Sequence, residues 1–269
     1  MPGQPTDPRP CRPGDDLHDP HRPRGGPDMI NILIAEATKL RRSLVLLVAA
    51  TPPVMVFALG VLVVASGNAP ENWAMHTMAG SAIWAFFLLP MSVIGITALI
   101  AQLEHGPGTW SHTLALPVPR WQVFLAKALV SLGLMAIVSA AVAAAGYASA
   151  MIGLQLGEDA VMEGGFDPAH AFELYGKMFI AGLLVMAIQW TMAMRFRSFA
   201  APVSVGIGGT FVAVAATSAE KGLYFPWLMP VNVLASESGR GDLAILMGGI
   251  GGVIVFALAI VWLSRRDWG

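Results

Sequence analysis

The residues of this chain that could do chemistry gather in one short stretch, 104–127, which reads EHGPGTWSHTLALPVPRWQVFLAK. Gly106, Pro107 and Gly108 break any helix that enters it, and Thr109 can cap a new one carrying Trp110, Leu114 and Leu116 on an apolar side. Pro117 and Pro119 end that helix, leaving Glu104 on one flank and Arg120 on the other. The chemistry this pattern offers is docking and ion pairing, with Trp110 as an apolar anchor, rather than bond making. His105 and His112 lie seven apart, but no third ligand for a metal accompanies them.

Other reactive constellations are missing. No G-x-x-x-x-G-K-[ST] loop occurs, and Gly176–Lys177 is followed by Met178. The chain therefore does not hydrolyse ATP by the P-loop route. There is no H-E-x-x-H and no G-x-S-x-G elbow. Cys11 is the single cysteine, which excludes an intramolecular disulfide.

The elements that must position this stretch are apolar blocks. Of 269 residues, 55% are hydrophobic and only 12% charged, at a mean hydropathy of +0.64, where a soluble domain carries about 25% charged residues. We read an all-α polytopic membrane protein with six transmembrane helices at 43–65, 81–103, 123–152, 177–194, 199–218 and 243–263. The first span is preceded by an amphipathic helix at 30–42, with Ile30, Leu33, Ile34 and Ala37 on its apolar side, lying in the membrane interface. Residues 1–28, rich in Pro, Gly, Asp and Arg, form a disordered tail, or translation starts at Met29. Residues 29–269 are the membrane domain.

Basic residues orient the spans. With both termini cytoplasmic, only Lys177, Lys221 and Arg240 of the 16 Lys and Arg fall outside. Lys39, Arg41, Arg42, Arg120, Lys127, Arg195, Arg197, Arg265 and Arg266 lie inside with the tail arginines. Net charge is −1, which gives no reason to expect nucleic acid as a partner. No span has a charged residue near its middle, as ion-coupled carriers usually do.

Three motifs carry a resemblance. They are E-x-x-K-L-R-R-S at Glu36, Lys39, Leu40, Arg41, Arg42 and Ser43; E-x-x-x-G-T-W at Glu104, Gly108, Thr109 and Trp110; and L-P-V-x-R followed by A-K at Leu116, Pro117, Val118, Arg120, Ala126 and Lys127. In these the chain resembles the ABC-2 type permeases, the membrane subunits of type V ABC transporters. Within them it is most similar to the six-span permeases of lantibiotic immunity and bacitracin resistance. The resemblance implies that 30–42 is the connecting helix and that the helix near 109–116 is a coupling helix docked on an ATP-binding subunit. It also implies that Glu104 ties these elements together, for example through an ion pair to Arg41 or Arg42. Glu36, Arg41, Arg42, Glu104, Thr109, Trp110, Leu114 and Arg120 are thus the expected coupling residues.

The resemblance further implies a plasma-membrane exporter, not itself an enzyme. It would bind no cofactor, with ATP and Mg on two copies of the partner ATPase, and would pair with a second permease, identical or different. The apolar outer loop 219–242 would form short re-entrant helices near a substrate exit involving Tyr224, Phe225 and Trp227, with Gln189 as a polar group within a span; an interfacial aromatic belt explains the same loop residues equally well. Polar residues inside spans, Gln189 with Thr97, Ser131, Ser139 and Thr191, are expected to bond to neighbouring helices. The outer loop 155–176 reads as a solvated acidic segment. Gly248 and Gly252, and the stripe Ala140, Ala144 and Ala148, read as close-packing positions. The rival to a transporter is an ATPase-independent six-helix channel or scaffold.

Overall fold

A computed structural model describes residues 28–105, 118–157, 161–217, 219–237 and 239–266. All its regular elements are helices. The expected tail at 1–28, apart from Asp28, and the expected coupling helix at 109–116 lie outside the described residues.

The first helix, α1 (Met29–Leu40), starts at Asp28, whose carbonyl accepts from the Asn31 and Ile32 amides. It ends at a corner built by Ser43. The Ser43 hydroxyl donates to the Leu40 carbonyl and accepts from the Val45 amide, so one side chain closes α1 and caps α2 (Leu44–Ala65). The serine of the first motif has this local reason.

A long second helical run follows: α3 (Trp73–Ile83), a π-helical turn at Trp84–Leu88, and α4 (Leu89–His105). The widened turn sits just before Pro90, which has no N–H to return to the Phe86 carbonyl, so the ladder is interrupted there in any case. The longest helix is α5 (Arg120–Leu156), with 37 residues; at 1.5 Å per residue it is ~55 Å long, more than a ~30 Å hydrocarbon core requires. Next come α6 (Pro168–Ala181) and α7 (Leu183–Arg195), bent by 46° at Gly182. The chain continues through α8 (Ala200–Ala215), two 3-10 turns at Glu220–Tyr224 and Pro226–Leu228, α9 (Met229–Asn232) and α10 (Arg240–Ser264).

Among the described residues four helical stretches are long and apolar enough to cross a membrane: Leu44–Ala65, Trp73–His105, Arg120–Leu156 and Arg240–Ser264. The bent pair α6–α7 makes a fifth. The fifth expected span, 199–218, corresponds to α8, whose 16 residues reach only ~24 Å. The second span begins at Trp73 rather than 81, and the fourth at Pro168 rather than 177, so part of the expected loop 155–176 is helix. The backbone of Asn72 pairs with Glu163, and the rings of Trp73, Tyr147 and Phe166 close over that end of the bundle.

Close packing holds the bundle. Without a hydrophobic gain between helices in lipid, contact depends on small residues. A Cβ on Gly248 would collide with the backbone of Ala181, and one on Gly252 would lie 2.6 Å from the Leu183 carbonyl carbon. These glycines thus seat α10 against the bend between α6 and α7, an intramolecular contact. Trp190 of α7 and Phe256 of α10 fill the layer below, ring centroids 5.5 Å apart. By contrast Ala140 and Ala144 face outward, and the buried side of α5 is Met135, Val138, Ser139 and Val142.

The polar residues within spans correct one expectation. Thr97, Ser131, Ser139 and Thr191 donate to the carbonyl four residues back on their own helices, at Val93, Lys127, Met135 and Ala187. Gln189 alone among them reaches a neighbour, donating to the Pro202 carbonyl at the start of α8.

Candidate functional site

Glu36 and Lys39 stand three apart on α1 and so share a face. That face also carries Leu40, which is buried, and it turns toward α5. Lys127 stands two turns inside α5, and Glu104 is the penultimate residue of α4. The fold brings these four side chains into one closed ring. Lys39 Nζ donates to Glu36 Oε1 at 2.7 Å and to Glu104 Oε1 at 2.6 Å. Lys127 Nζ donates to Glu36 Oε2 at 2.6 Å and to Glu104 Oε1 at 2.9 Å.

The charges alternate around the ring, and the set is neutral. Only 1% of the Lys127 side chain, 2% of Glu104 and 8% of Glu36 is exposed, against 37% of Lys39. Removing these ions from water costs several kcal/mol each, on the order of what one well-placed partner returns. Here every ion touches two of opposite sign through short charge-assisted hydrogen bonds, which offsets that cost. At Lys39, burial pulls the ammonium pKa down, but the hydrogen bonds to Glu104 and Glu36 outweigh it and hold the pKa above its ordinary value of 10.5.

The ring corrects the expected ion pair. The Glu104 carboxylate bonds to Lys39 and Lys127, whereas Arg41 and Arg42 are exposed at the corner after α1 and, among the described residues, enter no ion pair. Arg120 donates to the Arg266 carbonyl at 3.2 Å, tying the start of α5 to the end of α10. Thr109, Trp110 and Leu114 lie outside the described residues. From the sequence Lys127 and Lys39 read as orienting charges and as motif residues without a pairing; both are members of the site. The sequence held a signal for Lys127, since a lysine inside a long apolar helix needs a carboxylate from another element. Ala126, its motif partner, is fully buried beside it.

The ring therefore links α1 to the two helices that flank the 106–117 segment. Nearby, the ring nitrogen Nε2 of His105 lies 3.3 Å from the Ala193 carbonyl, and Gln102 donates to the Arg197 carbonyl. Arg41, Arg42, Arg120, Arg195, Arg197 and Arg265 gather at this same end, called here the ring end. Among the described residues no group of three or more His, Cys, Asp or Glu is placed to hold a metal.

At the other end, the short helices after α8 pack inward. Trp227, Leu228, Met229, Pro230 and Val231 are buried, Phe225 stacks on Trp227 at 5.4 Å, and Tyr224 is exposed. Trp227 lies against Gly209 of α8, where a Cβ would meet the indole at 2.5 Å. Arg240 clamps this segment by donating to Asn232 and Glu237. Gln189 is fully buried between α7 and α8 and lies apart from Tyr224 at the surface. An apolar groove of about 640 Å³ lined by Trp73, Tyr147, Met151, Phe166 and Phe172 opens at this end.

Apolar spans, a helix fastened to their ends by buried ions, and inward-packed short helices at the far end define a polytopic membrane protein. The family described as ABC-2 family transporter protein matches residues 32–213, more than half of the chain, and the chain belongs to that family. The match begins within α1 and ends within α8, so it covers all four ring residues. No curated protein sequence matches the chain.

Proposed function

We propose that this chain is the membrane-spanning permease subunit of an exporter driven by ATP hydrolysed on a separate subunit. The observation that carries this reading is the ring of Glu36, Lys39, Glu104 and Lys127. It fastens α1 to the ends of α4 and α5, the two helices that enter and leave the 106–117 segment. A force applied to that segment by a docked partner moves three elements as one body. Trp110 and Leu114 supply the apolar anchor of the docking helix, Thr109 its cap, and Glu104 its attachment to the ring.

In this reading two permeases, identical or different, pair and engage two ATP-binding subunits, which carry ATP and Mg. The chain crosses a bacterial plasma membrane six times with both termini cytoplasmic, α8 serving as a short fifth span. Ile30 and Ile34 are exposed on α1 opposite the buried Glu36, which suits a helix lying in the interface of the cytoplasmic leaflet. The basic ring end faces the cytoplasm, as the distribution of arginines favours. Tyr224, Phe225 and Trp227 form the exit region, with Gln189 bracing the helices beneath it. The cargo is an amphipathic antibiotic, drug or lipid, of the kind handled by lantibiotic-immunity and bacitracin-resistance permeases.

The test is co-purification with an ATP-binding subunit encoded beside this chain, followed by ATPase and export assays. The reading expects a stable complex, with Trp110→Ala and Glu104→Gln both inserted normally but unable to link hydrolysis to export. Full export by both variants would remove the role of the 104–127 stretch, and absence of any complex would favour a channel or scaffold.

A further inference from the structure

We infer that the groove between α7 and α10 at the ring end binds one anionic phospholipid of the adjacent leaflet. This goes beyond the permease reading and requires only that the helices are embedded in a bilayer. The groove has a volume of about 350 Å³ and is lined by Ile188, Met192, Val255, Leu258 and Trp262, with Thr191 as its one hydroxyl. That hydroxyl is already bonded to the Ala187 carbonyl, so it asks nothing of an acyl chain.

The end of the groove differs from its lining. Arg195 is the last residue of α7, and its guanidinium carbon lies 6.0 Å from the centre of the Trp262 ring and 5.2 Å from that of Phe196. Trp262 sits three residues from the end of α10, at the depth where tryptophans mark the headgroup region. A guanidinium stacked on aromatic rings still has a fork of N–H donors that fits a phosphate. Among the described residues neither Arg195 nor Arg197 forms an ion pair, and the two carboxylates nearest this end, Glu36 and Glu104, are engaged in the ring.

Charge selects the occupant. The groove mouth carries Arg195 with Arg197 and Arg265 exposed close by, and basic sites between helices at this depth attract anionic headgroups. A second copy of the chain in the same membrane orientation would bring its own basic end to the same depth, and like charges would oppose that contact. A zwitterionic lipid fills the groove but offers no net charge to the arginines.

Native mass spectrometry of the purified chain in mild detergent, titrated with phosphatidylglycerol, phosphatidylcholine or glycerol 3-phosphate, tests the inference. The expected result is one retained phosphatidylglycerol per chain and weaker phosphatidylcholine. Arg195→Gln should lower phosphatidylglycerol retention about fivefold, the factor for loss of one interfacial charge, and Arg195→Lys should restore most of it. Thr191→Phe, a half-exposed position in the groove, should also reduce retention while leaving the charge intact. Equal retention of the two lipids, or no change in Arg195→Gln, overturns the inference. Displacement of phosphatidylglycerol by glycerol 3-phosphate alone overturns it in favour of a free-phosphate site.

Discussion

Lys127 is the residue on which the ring turns, because it is buried on all sides and reaches carboxylates from two other helices. Replacing it by Met leaves Glu36 and Glu104 facing a single ammonium, and breaking a buried pair in this way costs about 3–5 kcal/mol. Lys127→Met should therefore lower stability in detergent by about that amount, read by reversible unfolding. The double variant Lys127→Met, Glu104→Leu leaves the Glu36–Lys39 pair and a neutral site, so it should recover most of the loss; additive losses would show that the two side chains do not interact. Lys39 gives a pH prediction. Its folded pKa is raised above 10.5, so its contribution is fully present below that value and is lost as pH rises through the higher folded value. The Tm difference between the wild type and Lys39→Met should hold constant from about pH 7 to 10 and shrink only above about pH 10.5.

At the scale of elements, α1 is a short helix whose stability comes from what it docks on. Twelve residues are marginal alone; the ring, Leu40 and the Ser43 corner fix it to the bundle. The bend at Gly182 is a second junction, and α10 sits there because Gly248 and Gly252 let it reach the backbone of α6 and α7. Gly248→Leu places a side chain where the Ala181 backbone stands, which the main chain cannot relieve by a rotamer change. It should cost at least about 1–3 kcal/mol, the usual penalty of overpacking, and lower the yield of folded protein by fluorescence-detected gel filtration. Gly133, which has open space around the same position, should accept Ala without loss.

At the scale of the whole molecule the decisive asymmetry is charge. One end gathers arginines; the other carries Glu71, Glu163, Asp167 and Glu173, with Lys177 paired to Glu173 and Arg240 to Glu237. If the basic residues set the orientation, reversing Arg195 and Arg197 together to Glu should alter the accessibility of reporters placed in the segments around α7 and α8. An unaltered reporter pattern would show that packing fixes that hairpin. Under the proposed permease function, coupling is a property of three helices, so Glu104→Gln and Lys127→Met should impair partner-stimulated transport more than membrane insertion.

Much of this was legible before any coordinates. Long apolar blocks report membrane helices because backbone groups in lipid must be satisfied within the segment, and α2, α5 and α10 lie where the blocks lie. Helix ends were legible less well: α3 runs back to Trp73 and α6 to Pro168 because polar residues continue a helix once it leaves the hydrocarbon. Glu36, Lys39, Glu104 and Lys127 all fall in the motifs of the resemblance, yet which of them pair does not follow from the motifs. Hydropathy treats Lys127, Arg41 and Arg42 alike as basic residues near a boundary. Which of them is buried depends on the angle at which α1 crosses α5, and that angle follows from packing between segments far apart in the chain. The sequence by itself determined that the chain crosses a membrane and which end is basic. Only the tertiary structure decided that two lysines close the ring while two arginines stay outside, since which ammonium comes within hydrogen-bond reach of Glu36 and Glu104 depends on how α1, α4 and α5 pack together.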